Sequence, residues 1–303
     1  MEKVRDIRVN KDMTSAEIIE QLSKCGGFMA MNFSQAHSIL EEMFDDKECF
    51  RFLSFPACII STGMRGIIAE LARRKMFDAI VTTCGTLDHD IARSMKSYYA
   101  GTFDANDDEL YEKSIMRLGN EFIPRDNYGK PIEDFVQKTL NELYPEKKEF
   151  SGREIVWEMG KRMKKNTILY WCYKNRIPVF VPGIFDGAFG LQLWMFYQQH
   201  RDFRINLMKD EDDLSEIAFN SKDTGALILG GGISKHHTIW WNQFKDGLDY
   251  AVYVTTAVEW DGSLSGARSK EAVSWGKIKE KGKHVTLYGE ITTTLPFLMA
   301  PFL

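Results

Sequence analysis

The chain has 303 residues, of which 44% are hydrophobic, 27% charged and 13% aromatic. This composition is typical of a folded protein with a sizeable core and excludes a disordered or fibrous chain. The net charge of −4 argues against a nucleic-acid partner, because phosphate binding calls for an excess of basic residues. No apolar run approaches the roughly 20 residues of a membrane span, and the N-terminus lacks a secretory signal. We therefore expect a cytoplasmic protein that binds neither nucleic acid nor membrane.

The cysteines and histidines give no support for a disulfide framework or a metal site. The five cysteines are scattered, and no two have the two-residue separation of a zinc or redox motif. The six histidines form no HExxH motif and no evenly spaced cluster. We expect reduced thiols and no bound metal.

Short apolar runs alternate with longer amphipathic ones from residue 57 onward, which is typical of a parallel α/β architecture. The runs lack a clean two-residue alternation, as expected of strands that helices cover on both faces. Helices are predicted over residues 64–75, from about Asp88 and from about Ala188. Strands are predicted at residues 57–61, 78–83, 178–181, 226–229, 250–255 and 284–288.

Two regions differ from this alternation. Residues 1–55 are polar and rich in methionine and phenylalanine, which predicts an N-terminal helical arm. Residues 101–165 carry an acidic stretch and three prolines, and we interpret them as an insertion of helices and loops. The predicted fold is therefore α/β and Rossmann-like, with a mostly parallel sheet flanked by helices. The arm precedes one domain, at 56–303, that contains the insertion.

Several predicted strand ends carry small or polar residues. Ligands of an open parallel sheet bind beyond the carboxyl ends of its strands. Glycine allows a close backbone approach, and free amides at a helix start favour a phosphate. Together these ends favour a nucleotide or dinucleotide cradle over plain turns. They are residues 61–63, 83–86, 182–187, 230–232 and 255–257.

For two features near these strand ends, the sequence allows either a functional or a structural role. Asp186 follows the third strand, where it would bind a ribose hydroxyl or cap the next helix. His236 and His237 occupy consecutive helical positions that point about 100° apart, so both cannot face one ligand. One would line a pocket while the other is an ordinary surface or core histidine.

Residues 255–277 contain more candidate functional residues than any other segment of the sequence. This segment is rich in glycine and serine but also contains Trp260 and Trp275, which argues against disorder. A loop of about twenty residues in a compact fold is usually functional. A lysine beside a large ring, as Lys277 is, can be desolvated so that its neutral amine is a nucleophile. The alternative is a surface lysine whose stem packs on apolar neighbours.

These stretches resemble the deoxyhypusine synthase family. The likeness is strongest in LGGGISKHH (residues 229–237) and in GLDYAVYVTTAVEWDGSLSGARSKEAVSWGKI (residues 247–278). It continues in VTTCGTLDHDIA, RLGNEFIP and PVFVPGIFDGAFG, which occur in that order between residues 81 and 190. It therefore covers roughly residues 50 to 300, and the SGAR…EAVSWGK segment is its most specific part.

The resemblance implies an NAD-dependent enzyme that transfers the aminobutyl group of spermidine to a lysine of the translation initiation factor 5A precursor. The group would be held as an imine on Lys277. The resemblance also implies a homotetramer. Catalytic roles fall on Lys277 and His236, and substrate-binding roles on Asp88, His89, Gly262, Ser263, Glu271 and Trp275. Cofactor-binding roles fall on Ser61, Thr83, Cys84, Gly85, Asp186, Gly231, Thr256, Ala257 and Glu290.

The chain lacks three acidic residues that the eukaryotic members of that family have. His89 stands where a glutamate is expected, and Leu191 and Leu264 stand where aspartates are expected. Buried ammonium groups need carboxylates around them, so either other acids compensate or the amine donor differs from spermidine. A homospermidine synthase-like transfer to a small diamine, or a non-catalytic NAD-binding homologue, are the alternatives. Candidate compensating acids are Asp88, Asp90, Glu259, Asp261 and Glu271.

Overall fold

The structure of the protein is a computed structural model that describes residues 3–303. Its helices are α1 (Ser15–Leu22), α2 (Ala30–Asp45), α3 (Cys58–Ser61), α4 (Met64–Arg73), α5 (Cys84–Met95), α6 (Asp107–Glu112), α7 (Gly129–Leu143), α8 (Gly152–Lys161), α9 (Ile168–Lys174), α10 (Ala188–Gln199), α11 (Met208–Asn220), α12 (Gly232–Gln243), α13 (Ser269–Ser274) and α14 (Ile291–Met299). Its strands are β1 (Cys49–Ser54), β2 (Ala79–Val81), β3 (Tyr99–Ala100), β4 (Ile115–Leu118), β5 (Glu121–Pro124), β6 (Glu149–Phe150), β7 (Val179–Phe180), β8 (Arg204–Ile205), β9 (Asp223–Leu229), β10 (Leu248–Thr255) and β11 (Ile278–Tyr288). Within residues 3–303, no helix combines the length and the apolar composition needed to cross a bilayer.

The chain folds as two compact units. The first unit comprises the residues up to Phe55, Met76–Val81 and Asp212–Leu303. The second comprises Pro56–Lys75 and Thr82–Glu211. The predicted division into an arm at 1–55 and one domain at 56–303 stays a prediction.

The first unit contains a parallel sheet with strand order β11-β10-β9-β1-β2. Helices α2, α12, α13 and α14 pack against it. The predicted α/β class with a mostly parallel, helix-flanked sheet is thereby confirmed.

The strands of this sheet form where the chain is continuously apolar. Leu227 and Ile228 of β9 and Val254 of β10 are 0% exposed. Helices that cover both faces of a parallel sheet bury every side chain of its central strands, whichever face it points to. The strands predicted at 226–229, 250–255 and 284–288 are confirmed, although all three begin earlier than predicted.

The strand predicted at residues 57–61 is wrong, since this stretch forms helix α3. Its bonds are local: the N–H of Ile60 donates to Ala57 and the hydroxyl of Ser61 donates to the carbonyl of Cys58. Pro56 has no amide hydrogen to continue the preceding strand pairing. The strand is instead β1, which lies in the stretch predicted as a helical arm and pairs with both β2 and β9.

The second unit is mainly helical. Helix α7 packs against α5 and α10, and helix α9 packs against α4 and α8. The predicted insertion at 101–165 contains helices, but the prediction of helices and loops alone is wrong. Strands β4 and β5 lie within it and form a three-stranded antiparallel sheet with β3, which directly precedes it, and each strand has only two to four residues. Such short, half-exposed strands leave little apolar pattern in the sequence.

Candidate active site

Lys277 lies at the junction between helix α13 and strand β11 in the first unit. The helix ends at Ser274, and Gly276 then adopts a left-handed conformation with a φ of +67°. The N–H of Gly276 donates to Val273 at 3.0 Å, and that of Lys277 donates to Ala272 at 2.9 Å. A glycine in this conformation is a common way to end a helix. It turns the chain into β11 with Lys277 buried at 9% exposure.

The side chain of Lys277 lines a cavity of about 140 Å³. Its Nζ lies 5.1 Å from the centroid of the Trp275 ring, within the range of a cation–π contact. Trp275 is 61% exposed, which leaves much of its ring free to contact a ligand. The remaining walls are mainly apolar and include Ile239, Leu264 and Ala272.

Glu271 supplies the only carboxylate among the described residues that line this cavity. Its side chain accepts no hydrogen bond and forms no ion pair within residues 3–303. The neighbouring cation Arg268 is already engaged, by an ion pair with Glu259 and a 3.1 Å hydrogen bond to the hydroxyl of Tyr288. The structure therefore brings Lys277, Trp275 and Glu271 together and leaves one carboxylate available to an ammonium group.

Lys235 of helix α12 lines the same cavity, and the sequence prediction missed it. It is 1% exposed, and its Nζ donates to the carbonyls of Leu264 and Ala267 at 2.7 and 2.8 Å. Burial lowers the pKa of Lys235 to about 8, and the charge of Glu271 opposes that shift. The only available signal was its position beside His236 in the KHH run.

His236 is exposed at the surface of helix α12 and stacks on Trp240, with ring centroids 5.7 Å apart. Burial and the positive charge of Lys277 lower the pKa of His236. The side chain of Lys277 is therefore close enough to His236 to affect its protonation. His237, the next residue, is partly buried. A neutral imidazole near Lys277 is able to exchange a proton with an amine.

The segment after strand β10 is ordered by contacts with the glycine run that follows β9. The hydroxyl of Thr255 donates to the carbonyl of Ser265 at 3.1 Å. A side chain at Gly231 would meet the hydroxyl of Ser265 at 2.2 Å, so only glycine fits there. Gly262 and Ser263 are exposed at the tip of this segment, where the N–H of Ser263 donates to Asp261 at 2.7 Å.

Helix α12 starts with amides that a phosphate could bind. Its N-cap, Gly231, provides no side-chain acceptor, and a side chain at Gly232 would meet nothing within 4 Å. Thr256 and Ala257 directly follow β10; Thr256 is exposed and Ala257 is half-buried. The start of helix α14 differs, because Glu290 accepts hydrogen bonds from the amides of its own first turn at 2.9 and 3.0 Å.

In the second unit, the carboxylate of Asp88 accepts three hydrogen bonds from the protein itself. It accepts hydrogen bonds from the amides of Ala188 and Phe189 at 3.0 and 2.7 Å and from the hydroxyl of Tyr128 at 2.8 Å. It is 1% exposed and thus caps helix α10 from within the core. Its predicted role in substrate binding stays a prediction, and the structure gives this carboxylate a structural function.

The start of helix α5 is a second place with uncapped amides. Thr83 makes no side-chain cap, because its hydroxyl accepts the N–H of Ala57 at 3.0 Å instead. Burial raises the pKa of Cys84, and the charge of Asp186 contributes to that rise. Asp186 is exposed, without a side-chain partner among residues 3–303. Ser61 is 2% exposed and bonded within α3, so it is poorly placed for a ligand.

His89 lies in a buried aromatic cluster on helix α5. It is 8% exposed, its Nδ1 is 3.0 Å from the hydroxyl of Tyr98, and its ring contacts Tyr128 at a centroid distance of 5.6 Å. Burial, followed by the charge of Arg93, lowers the pKa of His89 to about 4. The residue is therefore neutral at pH 7 and contributes no charge to the site.

The depressed pKa of His89 predicts a loss of stability in acid. Between pH 6.5 and 4 the unfolded chain binds a proton at this position and the folded chain does not, so stability falls as the pH falls. At pH 4.5 the expected loss is about 2 to 3 kcal/mol relative to pH 7. Urea unfolding of the wild type and of His89→Gln at both pH values measures it. An equal loss in both proteins would contradict the prediction, since the other histidines are common to both.

Comparison with known proteins identifies the family. The family model described as deoxyhypusine synthase matches residues 17–302. A Picrophilus torridus protein named as a probable deoxyhypusine synthase is 56% identical over 303 residues, covering 100% of this chain and 97% of that protein. A Thermoplasma acidophilum protein with the same name is 52% identical over 301 residues, covering 99% and 97%.

A solved structure with a similar fold comes from Entamoeba histolytica and is provisionally named a deoxyhypusine synthase. It has a TM-score of 0.66 at 20% identity, and the match covers 98% of this chain and 95% of that one. At this identity the likeness shows the fold alone. From the family model and the close relatives together, we conclude that the chain belongs to the deoxyhypusine synthase family of transferase enzymes.

Proposed function

We propose that this enzyme transfers the aminobutyl group of spermidine to one lysine of the translation initiation factor 5A precursor, with NAD as its cofactor. Lys277 would attack, as a neutral amine, spermidine that has lost hydride and become an imine; diaminopropane would leave, and the aminobutyl group would stay as an imine on Lys277 until the acceptor lysine displaces it. Return of the hydride would reduce the new imine to the amine product. His236 exchanges protons with these amines. We further propose that the enzyme is a cytoplasmic homotetramer, for which light scattering after size-exclusion chromatography is the test.

The observation that carries this proposal is the buried Lys277 in a mainly apolar cavity with one free carboxylate. Imine formation needs the exclusion of water, which a small and mainly apolar cavity favours. The aminobutyl group has an ammonium at its far end. The unpaired carboxylate of Glu271 is a suitable counter-ion for that group.

Part of the predicted NAD site is compatible with the residues present. Bound NAD would supply the acceptor and donor of hydride. Within the first unit, the uncapped first turn of helix α12 suits a phosphate. Within the second unit, taken by itself, the uncapped first turn of helix α5 suits a phosphate and the free carboxylate of Asp186 suits a ribose hydroxyl. Glu290 and Ser61 fit less well, because the side chain of each is already bonded within its own helix.

Parallel transfer assays test the proposal against its alternatives. The enzyme is supplied with NAD and spermidine labelled in its butyl group, together with either the factor 5A precursor or putrescine as acceptor. We expect label on the protein acceptor. Label on putrescine alone would identify a homospermidine synthase-like enzyme. No transfer to either acceptor, with NAD still bound, would indicate a non-catalytic homologue.

Replacing Glu271 with glutamine is expected to weaken spermidine binding about tenfold or more, since a charged hydrogen bond contributes about 1.5 to 3 kcal/mol. Isothermal titration calorimetry with NAD present measures this effect. Glu280→Gln is the matched control, because Glu280 is an exposed acid of strand β11 that does not line the cavity. Equal affinities of the Glu271→Gln and Glu280→Gln enzymes would show that Glu271 is not the counter-ion.

A further inference from the structure

A chain of hydrogen bonds ties the first residue of helix α13 to strand β11. The N–H of Ser269 donates to the hydroxyl of Thr286 at 2.8 Å, and that hydroxyl donates to the side-chain oxygen of Ser269 at 3.1 Å. The Nδ1 atom of His284 lies 3.0 Å from the same oxygen. Ser269 is 2% exposed and Thr286 is 7% exposed, so water has little access to these bonds.

The order of donors in this chain requires an unprotonated Nδ1 atom on His284. A hydroxyl has a single hydrogen, and that of Thr286 is used on Ser269. The hydrogen of Ser269 is therefore left for His284, whose Nδ1 accepts it only when the imidazole is neutral and protonated on Nε2. A protonated imidazole would donate from Nδ1 instead. One of the two hydroxyl hydrogens would then be buried without an acceptor among these three side chains, which destabilises the arrangement.

Helix α13 depends on this chain because it has few bonds of its own. It comprises six residues, and a helix this short is not stable in isolation. Its N-cap residue, Arg268, makes no side-chain hydrogen bond to the helix. At the other end, the turn at Gly276 joins the helix to β11 through Lys277. The helix is thus tied to the same strand twice, once by the covalent chain and once by Ser269.

The groups around His284 favour its neutral form. Burial, followed by the positive charge of Lys270, lowers the pKa of His284. The residue paired with His284 on strand β10 is Ala251, which carries no charge. Adjacent residues of a strand point to opposite faces of the sheet. Lys283 is therefore directed away from the imidazole, and it pairs with Glu42 of helix α2.

The other charged groups at this end of helix α13 are engaged with one another. Arg268 forms an ion pair with Glu259. Lys235 of helix α12 donates to the carbonyl of Ala267, and the carboxylate of Glu271 opposes the lowering of its pKa by burial. Among the described residues, Lys270 is therefore the charged group that acts on His284, and its positive charge disfavours protonation.

We propose that His284 is a positioning residue whose neutral imidazole fixes helix α13 on the sheet, and that its protonation releases the start of this helix. The functional consequence rests on the proposed function, because α13 carries Glu271 and leads into Lys277. Once Ser269 is released, the helix is tied at Lys277 alone and Glu271 is no longer held at the cavity. Acid therefore lowers transfer through His284 as well as through the reacting amines.

The direction of the pH effect follows from the pKa of His284. This pKa lies below its ordinary value of 6.5 in the folded chain. Above pH 6.5 the imidazole is neutral in the folded and the unfolded chain, and the anchor is complete. As the pH falls below that value, the unfolded chain binds the proton first, so the anchor weakens progressively and is lost through the folded pKa.

Amide hydrogen exchange of residues 269–274 tests the release directly. Protection, corrected for the intrinsic exchange rate, is compared at pH 7.5 and pH 5 in the wild type and in His284→Asn. The asparagine oxygen accepts a hydrogen bond and does not titrate. We expect the wild type to lose protection in this segment about threefold or more at pH 5, and His284→Asn to keep it. Unchanged protection in the wild type, or an equal loss in both proteins, would overturn the inference.

Two further variants make the exchange measurement specific. His37→Asn is the matched control, because His37 is also half-buried, with a pKa that burial lowers, but it lies on helix α2. It is expected to lose protection at pH 5 as the wild type does. Ser269→Ala removes the hydroxyl that His284 governs and is expected to show equal protection at both pH values. A loss in Ser269→Ala equal to that of the wild type would overturn the inference even if His284→Asn does not fold.

Transfer rates separate this inference from the proposed function. We expect the ratio of kcat/KM for spermidine between the wild type and His284→Asn to fall about threefold from pH 7.5 to pH 5, as the anchor is lost in the wild type alone. A constant ratio would overturn the role of His284 in the reaction. Absence of transfer by both enzymes at both pH values would overturn the proposed function, while the exchange result would still decide whether His284 releases α13.

Discussion

Replacing Lys277 with arginine is expected to lower aminobutyl transfer by at least about 10³-fold, because the reaction loses its covalent nucleophile. A guanidinium remains protonated at any working pH and cannot form an imine. It retains the positive charge and is able to remain over the Trp275 ring, so folding and the charge of the cavity change little. Initial rates with labelled spermidine, followed by borohydride trapping and peptide mass mapping, measure the loss.

The matched control is Lys283→Arg, which makes the same exchange at an exposed position of strand β11, the strand that begins directly after Lys277. Transfer by this variant is expected to equal that of the wild type. Label trapped on another peptide of the Lys277→Arg enzyme would show that a different amine is the nucleophile. Lys235 would then be the first candidate, since it lines the same cavity.

The sequence predicts strands that are continuously apolar. It does not predict a strand whose buried charge is neutralised by a residue far away in the chain. β9 and β10 are apolar along most of their length, which indicates burial directly. β1 carries Arg51 in its middle, and this arginine is satisfied by an ion pair with Asp78 at 3.0 Å. The sequence contains no sign of that pair. The run at residues 57–61 is more apolar, so the sequence predicts the strand there instead.

The same limit applies to the candidate site. Lys277, Trp275 and Glu271 lie within one segment of seven residues, so the sequence of that segment indicates all three as candidate site residues. Lys235 and Tyr253 line the same cavity only because α12 and β10 pack beside that segment. In the sequence, a tyrosine within an apolar strand cannot be distinguished from an ordinary core residue. The sequence predicts Asp88 as an acid that binds a cationic substrate. Two of its three hydrogen-bond donors, Ala188 and Phe189, are about 100 residues further along the chain.

Replacing Asp90 with asparagine is expected to destabilise the fold by about 3 to 5 kcal/mol, because it leaves a buried guanidinium without its counter-charge. Asp90 is 0% exposed and pairs with Arg65, whose side chain is 11% exposed, at 2.7 Å. Asparagine keeps an acceptor for the N–H of Leu169, which now donates to Asp90 at 2.9 Å. The loss therefore reports the charge together with the acceptor oxygen that Arg65 loses, and urea unfolding at pH 7 measures it.

The double variant Arg65→Met, Asp90→Asn separates charge from packing. It removes both charges, and a buried ion pair replaced by uncharged groups of similar volume often costs little. We therefore expect it to recover most of the stability that Asp90→Asn loses. If the double variant is as unstable as the single one, the loss comes from packing around helix α5, and the ion pair is not what holds Arg65 and Asp90 in place.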